Sequence, residues 1–325
     1  MWSLFQYPPK PGIAAAAAFP LLATTIVLLW LQGRILDRRG YSVLGGKSGA
    51  PRLMRLGSWR WAALAFATLI LSLTIVLPYG ALLKTAFSAS ASEPFGWNNL
   101  TLHNFHFVFF EFSATRFALT NTFLLGVAAA TIGAAVGFVV GYLVSRQSVK
   151  GAWALGALAN VPIAVPGIVL GVGLFLAHSG YPFRLYGTLW ILLIAFVTIE
   201  LPAAYQQLSA ALKTMNPELE EASRILGASR LATLRLITAP LLRTSVIATW
   251  CLIFIGAIRE LSATILLTTA NTKIVSVIIY DLNESGDLGA ISVLGVVLLF
   301  VSFAIVALAN RLPLLGGGPR VTISR

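Results

Sequence analysis

Charged side chains are scarce in this chain, so the places where they gather indicate what chemistry it could do. Of 325 residues, 10% are charged and 58% hydrophobic. One group, Glu218, Glu220, Glu221, Arg224 and Arg230, falls within ELEEASRILGASRLATLRLITAP, residues 218–240, set between long apolar runs. A second group, Glu200, Arg259 and Glu260, stands inside the apolar runs themselves. Ionisable groups at such depth are expensive and face water or a partner. Their chemistry is therefore that of a pathway, a gate or a structural ion pair. No nucleophile, base and orienting acid occur together, which leaves an enzyme reading without support, and no pattern calls for a cofactor. His103 and His106, three apart, could share a helix face and offer a metal site. Without a nearby acid cluster, an exposed interfacial position is the better reading for them and for His178. The one cysteine, Cys251, excludes an internal disulfide and a Cys-based metal site.

The elements that position these groups are membrane helices. A soluble domain carries about 25% charge, and a mean hydropathy of +0.85 places this chain among polytopic membrane proteins. A crossing helix needs roughly 20 apolar residues. Seven segments qualify, at about 12 to 32, 61 to 83, 117 to 144, 152 to 178, 187 to 207, 241 to 266 and 288 to 310. A secretory signal fits the N-terminus poorly, because the first run is long and Arg34, Arg38 and Arg39 follow it as a stop-transfer flank. The net charge of +12 does not point to nucleic acid, because the basic residues are shared among short loops. They gather in loops 33–60, 145–151 and 208–243 and in the tail, against Lys10, Lys84, Arg116, Arg184 and Lys273 on the other side. The positive-inside rule then puts the N-terminus outside, and the C-terminus and residues 218–240 in the cytoplasm. Between 84 and 116, Trp97, Phe105, Phe107, Phe109 and Phe110 are expected to anchor a segment along the outer interface.

Residues 218–240 read as an amphipathic stretch. Asn216 and Pro217 supply a capping side chain and a first-turn proline, and the acids that follow complement the positive helix end. Leu219, Ala222, Leu226, Leu231, Leu234 and Ile237 can form an apolar ridge, with Glu218, Glu220, Glu221, Arg224 and Arg230 solvated. Gly227 supplies a break between two short helices. Such a ridge could enter a groove on a partner, or simply lie in the membrane interface. Gly45, Gly46, Lys47 and Ser48 resemble the end of a phosphate-binding loop, but Tyr41 stands where that pattern needs glycine and a membrane helix precedes. Any ATP hydrolysis belongs to a partner.

The fourth segment carries Asn160, Pro162, Pro166 and Gly167. Interior prolines free backbone groups that a polar cavity or neighbouring protein must satisfy. This fits a pore-lining position, and equally close helix packing. Arg259 and Glu260 are expected on one helix about 100° apart, unable to neutralise each other and paired with other helices. With Glu200 they are pathway or gate candidates, against a structural pairing between subunits.

Glu221, Ala222 and Ser223 followed by Gly227, Ile237 and Pro240 form a spacing that resembles the EAA signature of permease subunits in bacterial ABC importers. Ser223 stands where a second Ala is usual, and Ala239 where a Leu usually precedes the Pro. The run FIGAIREL, Phe254 to Leu261, and the later VSVIIYDLNESGDLGAISVLGV resemble the iron(III)-type permeases, which group with thiamine, polyamine and phosphonate importers. The resemblance implies an all-α type I importer fold in the bacterial inner membrane with helices 3–7 as core. It implies that Glu221, Ala222 and Gly227 belong to a coupling helix docking on cytoplasmic ABC ATPase subunits, and that a periplasmic substrate-binding protein delivers cargo. A second permease half or a second copy would complete the pore. Many relatives fuse two halves, and Tyr41 to Trp61 resembles the linker between them, giving a division into 1–60 (helix and basic linker) and 61–325 (transmembrane domain, coupling segment 205–240). Ferric iron is the cargo implied, with polyamine, thiamine, sulfate and phosphonate open. The competing class is an ion-gradient-driven transporter in which Glu200, Glu260 and Arg259 form the relay. A non-transporting scaffold is the third.

Overall fold

The computed structural model describes residues 11–36, 57–94, 96–146, 148–182 and 184–311. Tyr41 to Leu56 of the expected linker, the Gly45–Ser48 run and the basic tail residues Arg320 and Arg325 lie outside them. The described residues are helical, with a single strand-like pairing between Ser88 and Leu100.

In chain order the helices are α1 (Pro11–Leu36), α2 (Trp59–Ala86, with a wide turn at Ser72–Val76), α3 (Ser113–Ser145), α4 (Ala152–Ala164), α5 (Gly167–His178) and α6 (Leu189–Thr214). They continue with α7 (Glu218–Ile225), α8 (Arg230–Leu241), α9 (Arg243–Arg259), α10 (Thr264–Leu267), α11 (Val275–Ser285) and α12 (Leu288–Arg311). By length and composition α2, α3, α6 and α12 can each cross a membrane, and the bent pairs α4–α5 and α8–α9 raise the number to 6 if each is one span. The expected first segment is present as α1, whose described apolar stretch is the shorter Phe19–Leu28.

The centre of the fold is α3 against α6, with α9 across both. Small residues repeat along one stripe of α3, at Gly126, Ala130, Gly133, Ala134, Gly137 and Gly141, all buried. Without a hydrophobic driving force between helices in lipid, such stripes let backbones approach and gain van der Waals contact. A Cβ at Gly137 would stand 2.7 Å from the Cβ of Ala204 on α6. Around this seam Leu125, Ile191, Leu192, Phe196, Ala257, Leu267 and Ile274 form one apolar core, and Ile253, Phe254 and Ile258 a second. By contrast the first half of α2 is exposed almost throughout, and only its second half packs, with Leu82 against Gly295 of α12 and Ala86 buried.

Two of the apolar runs expected as continuous spans are broken. The fourth bends by 106° between α4 and α5. Val165 there is extended (φ −104°, ψ 113°), as the residue before a proline prefers, and Pro166 opens α5. The sixth, expected over 241 to 266, is helical only through Arg259. Glu260 is extended (φ −67°, ψ 124°) before α10 restarts. In the aromatic segment, Trp97 and Phe110 are exposed, whereas Phe105, Phe107 and Phe109 pack against the core of Ala118, Ile278 and Val293. Those three stabilise the fold from within.

Candidate coupling segment and polar pathway

Residues 216–241 fold as two short helices whose ends are tied by their own side chains. Asn216 accepts the backbone N–H of Glu218 through Oδ1 (3.0 Å) and donates through Nδ2 to the Glu218 carboxylate (3.0 Å). Ser229 caps α8 by accepting the N–H of Ala232 (3.2 Å). Between them Gly227 has φ +89°, with nothing within 4 Å of a Cβ placed there. The glycine is therefore needed for its left-handed backbone and not for space. The hydroxyls of Ser223 and buried Thr233 meet at 3.0 Å and join α7 to α8.

Leu219, Ala222, Leu226 and Leu231 of the expected ridge are exposed, joined by Ile225 and Leu236. Leu234 and Ile237 are instead half-buried. A single helical period cannot follow the face across the turn at Gly227 and the wide turn at Leu234–Thr238. Glu221 and Pro240 are exposed and Ser223 is half-buried. Glu220, expected in solvent, is 7% exposed. Its carboxylate accepts from Arg146 Nε and Nη2 (3.2 Å each) and from Thr238 Oγ1 (2.9 Å). Beside it a cavity of about 360 Å³ is lined by Tyr142, Ser145, Arg146, Glu221, Arg224 and Arg230, among others.

The pathway candidates gather where the two broken helices meet. Asn160, at the end of the helical part of α4, donates to the Gly156 carbonyl (2.9 Å) and accepts from Gln206 of α6 (2.8 Å). Pro162 and Pro166 bracket the bend, and Gly167 faces Ser262, with Glu260 Oε1 3.5 Å from a Cβ placed there. Gly171 packs on the Ala263 backbone. Glu260 and Arg259 do not stand on one helix as expected, because the helix ends between them. The Glu260 carboxylate accepts from Ser262 Oγ (2.6 Å) and the Ala263 N–H (2.8 Å), while its carbonyl accepts from Ser276 Oγ (2.7 Å) and Thr264 Oγ1 (3.0 Å). Such local side-chain bonds compete with the helical ladder and end it.

Half-buried Glu200 lies against α9 at Gly256, where a Cβ would overlap its carboxylate. Among the described residues, Glu200 and Arg259 have no hydrogen bond or ion pair. Exposed Arg259 borders a mostly apolar cavity of about 400 Å³ with Tyr79, Leu82 and Leu298. His106 contacts Glu111 (2.9 Å), His178 bonds the Leu174 carbonyl (3.1 Å), and no group of three or more potential metal ligands occurs among the described residues.

A family model described as "Binding-protein-dependent transport system inner membrane component" matches residues 112–312, more than half of the chain. The chain belongs to this family. It is a multi-pass inner-membrane permease of binding-protein-dependent ABC importers, and not itself an enzyme. It is 29% identical over 289 residues to the ferric transport system permease protein FbpB of Actinobacillus pleuropneumoniae, covering 88% of this chain and 42% of that protein. The permease thus spans about two fifths of the length of that relative. It is 25% identical over 256 residues to PhnV of Salmonella typhimurium, a permease protein named for 2-aminoethylphosphonate transport, covering 78% and 94% of the two chains. Among solved structures, a bacterial ABC transporter involved in alginate import superposes with a TM-score of 0.62 at 18% identity, covering 78% of this chain and 94% of that one. At that identity the likeness concerns the fold, which is the type I importer fold.

Several residues of the site reach it from positions distant in sequence. Arg146 stands 74 positions before Glu220, Thr238 18 positions after it, and Gln206 is 46 from Asn160. For Arg146 the available cue is a lone arginine directly after a long apolar helix, a place shared by many residues that only mark a membrane boundary.

Proposed function

We propose that this permease forms half of the translocation pathway of an ATP-driven importer, and that residues 218–240 are its docking element for cytoplasmic ATPase subunits. One observation carries the reading. Leu219, Ile225, Leu226 and Leu231 are exposed on a segment whose ends, turn and one buried carboxylate are all tied down. A rigid apolar ridge suits insertion into a groove, because little ordering entropy is lost on binding. On this reading Glu221, Ala222, Ser223, Gly227, Ile237 and Pro240 form or shape the contact. The N-terminus lies outside and the segment inside.

A periplasmic binding protein delivers cargo, and a second permease half or a second copy completes the pore. Asn160, Pro162, Pro166, Gly167, Glu200, Arg259 and Glu260 line the path or its gate. The ferric permease likeness favours ferric iron as cargo, with phosphonate and sulfate next.

Affinity purification of the tagged permease in mild detergent tests this. An ATPase subunit in twofold ratio to the pore, lost on L226D, is expected. A folded permease alone, with uptake that collapses with the ion gradient, would instead favour the secondary-transport reading, to which the unpaired carboxylate of Glu200 lends its support.

A further inference from the structure

We propose that Glu220 is a positioning residue that fastens the coupling segment to the end of α3, so that a push on the exposed ridge reaches the α3–α6 seam. This rests on the docking role proposed above and adds the route by which the docked partner moves the membrane helices.

The geometry makes Glu220 the meeting point of three elements. It sits in α7, and Arg146 directly follows the last residue of α3. Thr238, fully buried, closes the wide turn of α8. The guanidinium gives one N–H to each carboxylate oxygen, an arrangement that fixes angle as well as distance. Both side chains are largely shielded, with 13% and 10% exposed. Ion pairs in full solvent are weak and yield easily. A shielded pair with a third bond resists separation, because either partner left alone would be a poorly solvated charge. Arg146 also continues the α3 backbone, its N–H donating to the Tyr142 carbonyl (3.0 Å).

Without this fastening α7 would be held chiefly by its chain connections, at Met215–Pro217 and at Gly227, and by the Ser223–Thr233 contact. Three bonds converging on Glu220 direct the displacement of α7 into α3, which is packed along most of its length against α6 and α9.

The test uses the whole importer complex in nanodiscs. The native cysteine is removed (C251A), and S262C reports on the junction of the broken helices through its labelling by a membrane-impermeant maleimide. Labelling with ATP and vanadate is compared with labelling in nucleotide-free complex, and ATP hydrolysis is measured alongside.

With the fastening intact, nucleotide is expected to change the labelling rate by at least about fivefold, the lower edge of ordinary coupling between sites. E220Q and R146Q should assemble with the ATPase and hydrolyse ATP while this change disappears. The exchange R146E/E220R should restore part of it. T238V, which removes only one hydrogen bond and keeps volume, should reduce it in part.

Nucleotide-dependent labelling as large in E220Q and T238V as in the parent would overturn the proposal. So would single variants that fail to assemble without rescue by the exchange, together with a T238V that assembles and labels like the parent, since Glu220 would then serve folding alone. A parent complex that hydrolyses ATP with no change at S262C would overturn the placement of the gate, and a permease that recruits no ATPase would overturn the docking role itself.

Discussion

Glu220 in the coupling segment and Glu200 beside the junction of the broken helices are treated in opposite ways. In the first, Glu220 has three bonds and lies almost out of solvent. In the second, Glu200 is held against Gly256 without a bond partner among the described residues, and Arg259 is likewise unpaired. The first arrangement resists displacement. The second leaves charge available to water, cargo or another subunit, as expected of ionisable groups kept within membrane helices. On the role proposed above, the first site serves as a fixed handle and the second as an uncommitted lining.

Substitutions can break this contrast. The largest effect is expected at the handle. E220A leaves Arg146 shielded and unpaired, with a cost of about 3–5 kcal/mol, read as lost thermal stability of the purified permease. A second substitution, G227A, meets no neighbour but must hold a left-handed backbone, at about 1–2 kcal/mol. At the junction, G256A pushes aside only the free end of the Glu200 side chain and should cost about 1 kcal/mol, the low end of overpacking. The double variant G256A/E200A should recover much of that loss, which thermal unfolding of both would measure. E200Q and E221A remove charges that are not paired and should change stability within about 0.5 kcal/mol, while transport assays of the same preparations show a defect. Equal destabilisation by E200Q and E220A would erase the difference between the two regions.

Much of the first region was legible in the sequence, and less of the second. Asn216, Pro217 and Gly227 mark their own turns because capping and left-handed backbone are local demands that particular side chains meet. Glu220 could not be read this way. The helical period puts it beside Glu221 with equal standing, and only the arrival of Arg146 from a distant helix end separates the buried carboxylate from the exposed one. Pro162 and Pro166 announce a break in the fourth segment, but not an angle of 106°, which depends on what α5 packs against. At Arg259 and Glu260 the apolar run conceals a helix end. Hydropathy does not register that Ser262, Thr264 and Ser276 can outbid the ladder for the hydrogen-bonding groups of Glu260. The contact of Glu200 with Gly256 joins two spans, and no pattern within either one predicts it.

The close approach at Gly137 also bears on time. With α3 and α6 nearly touching along small residues, neither can open without exposing backbone that has no water to receive it. Their amides should be the last in the molecule to exchange with deuterium, while those of the turn at Gly227 exchange early. The order of exchange would then trace a slow spine through a protein whose moving parts all hang from it.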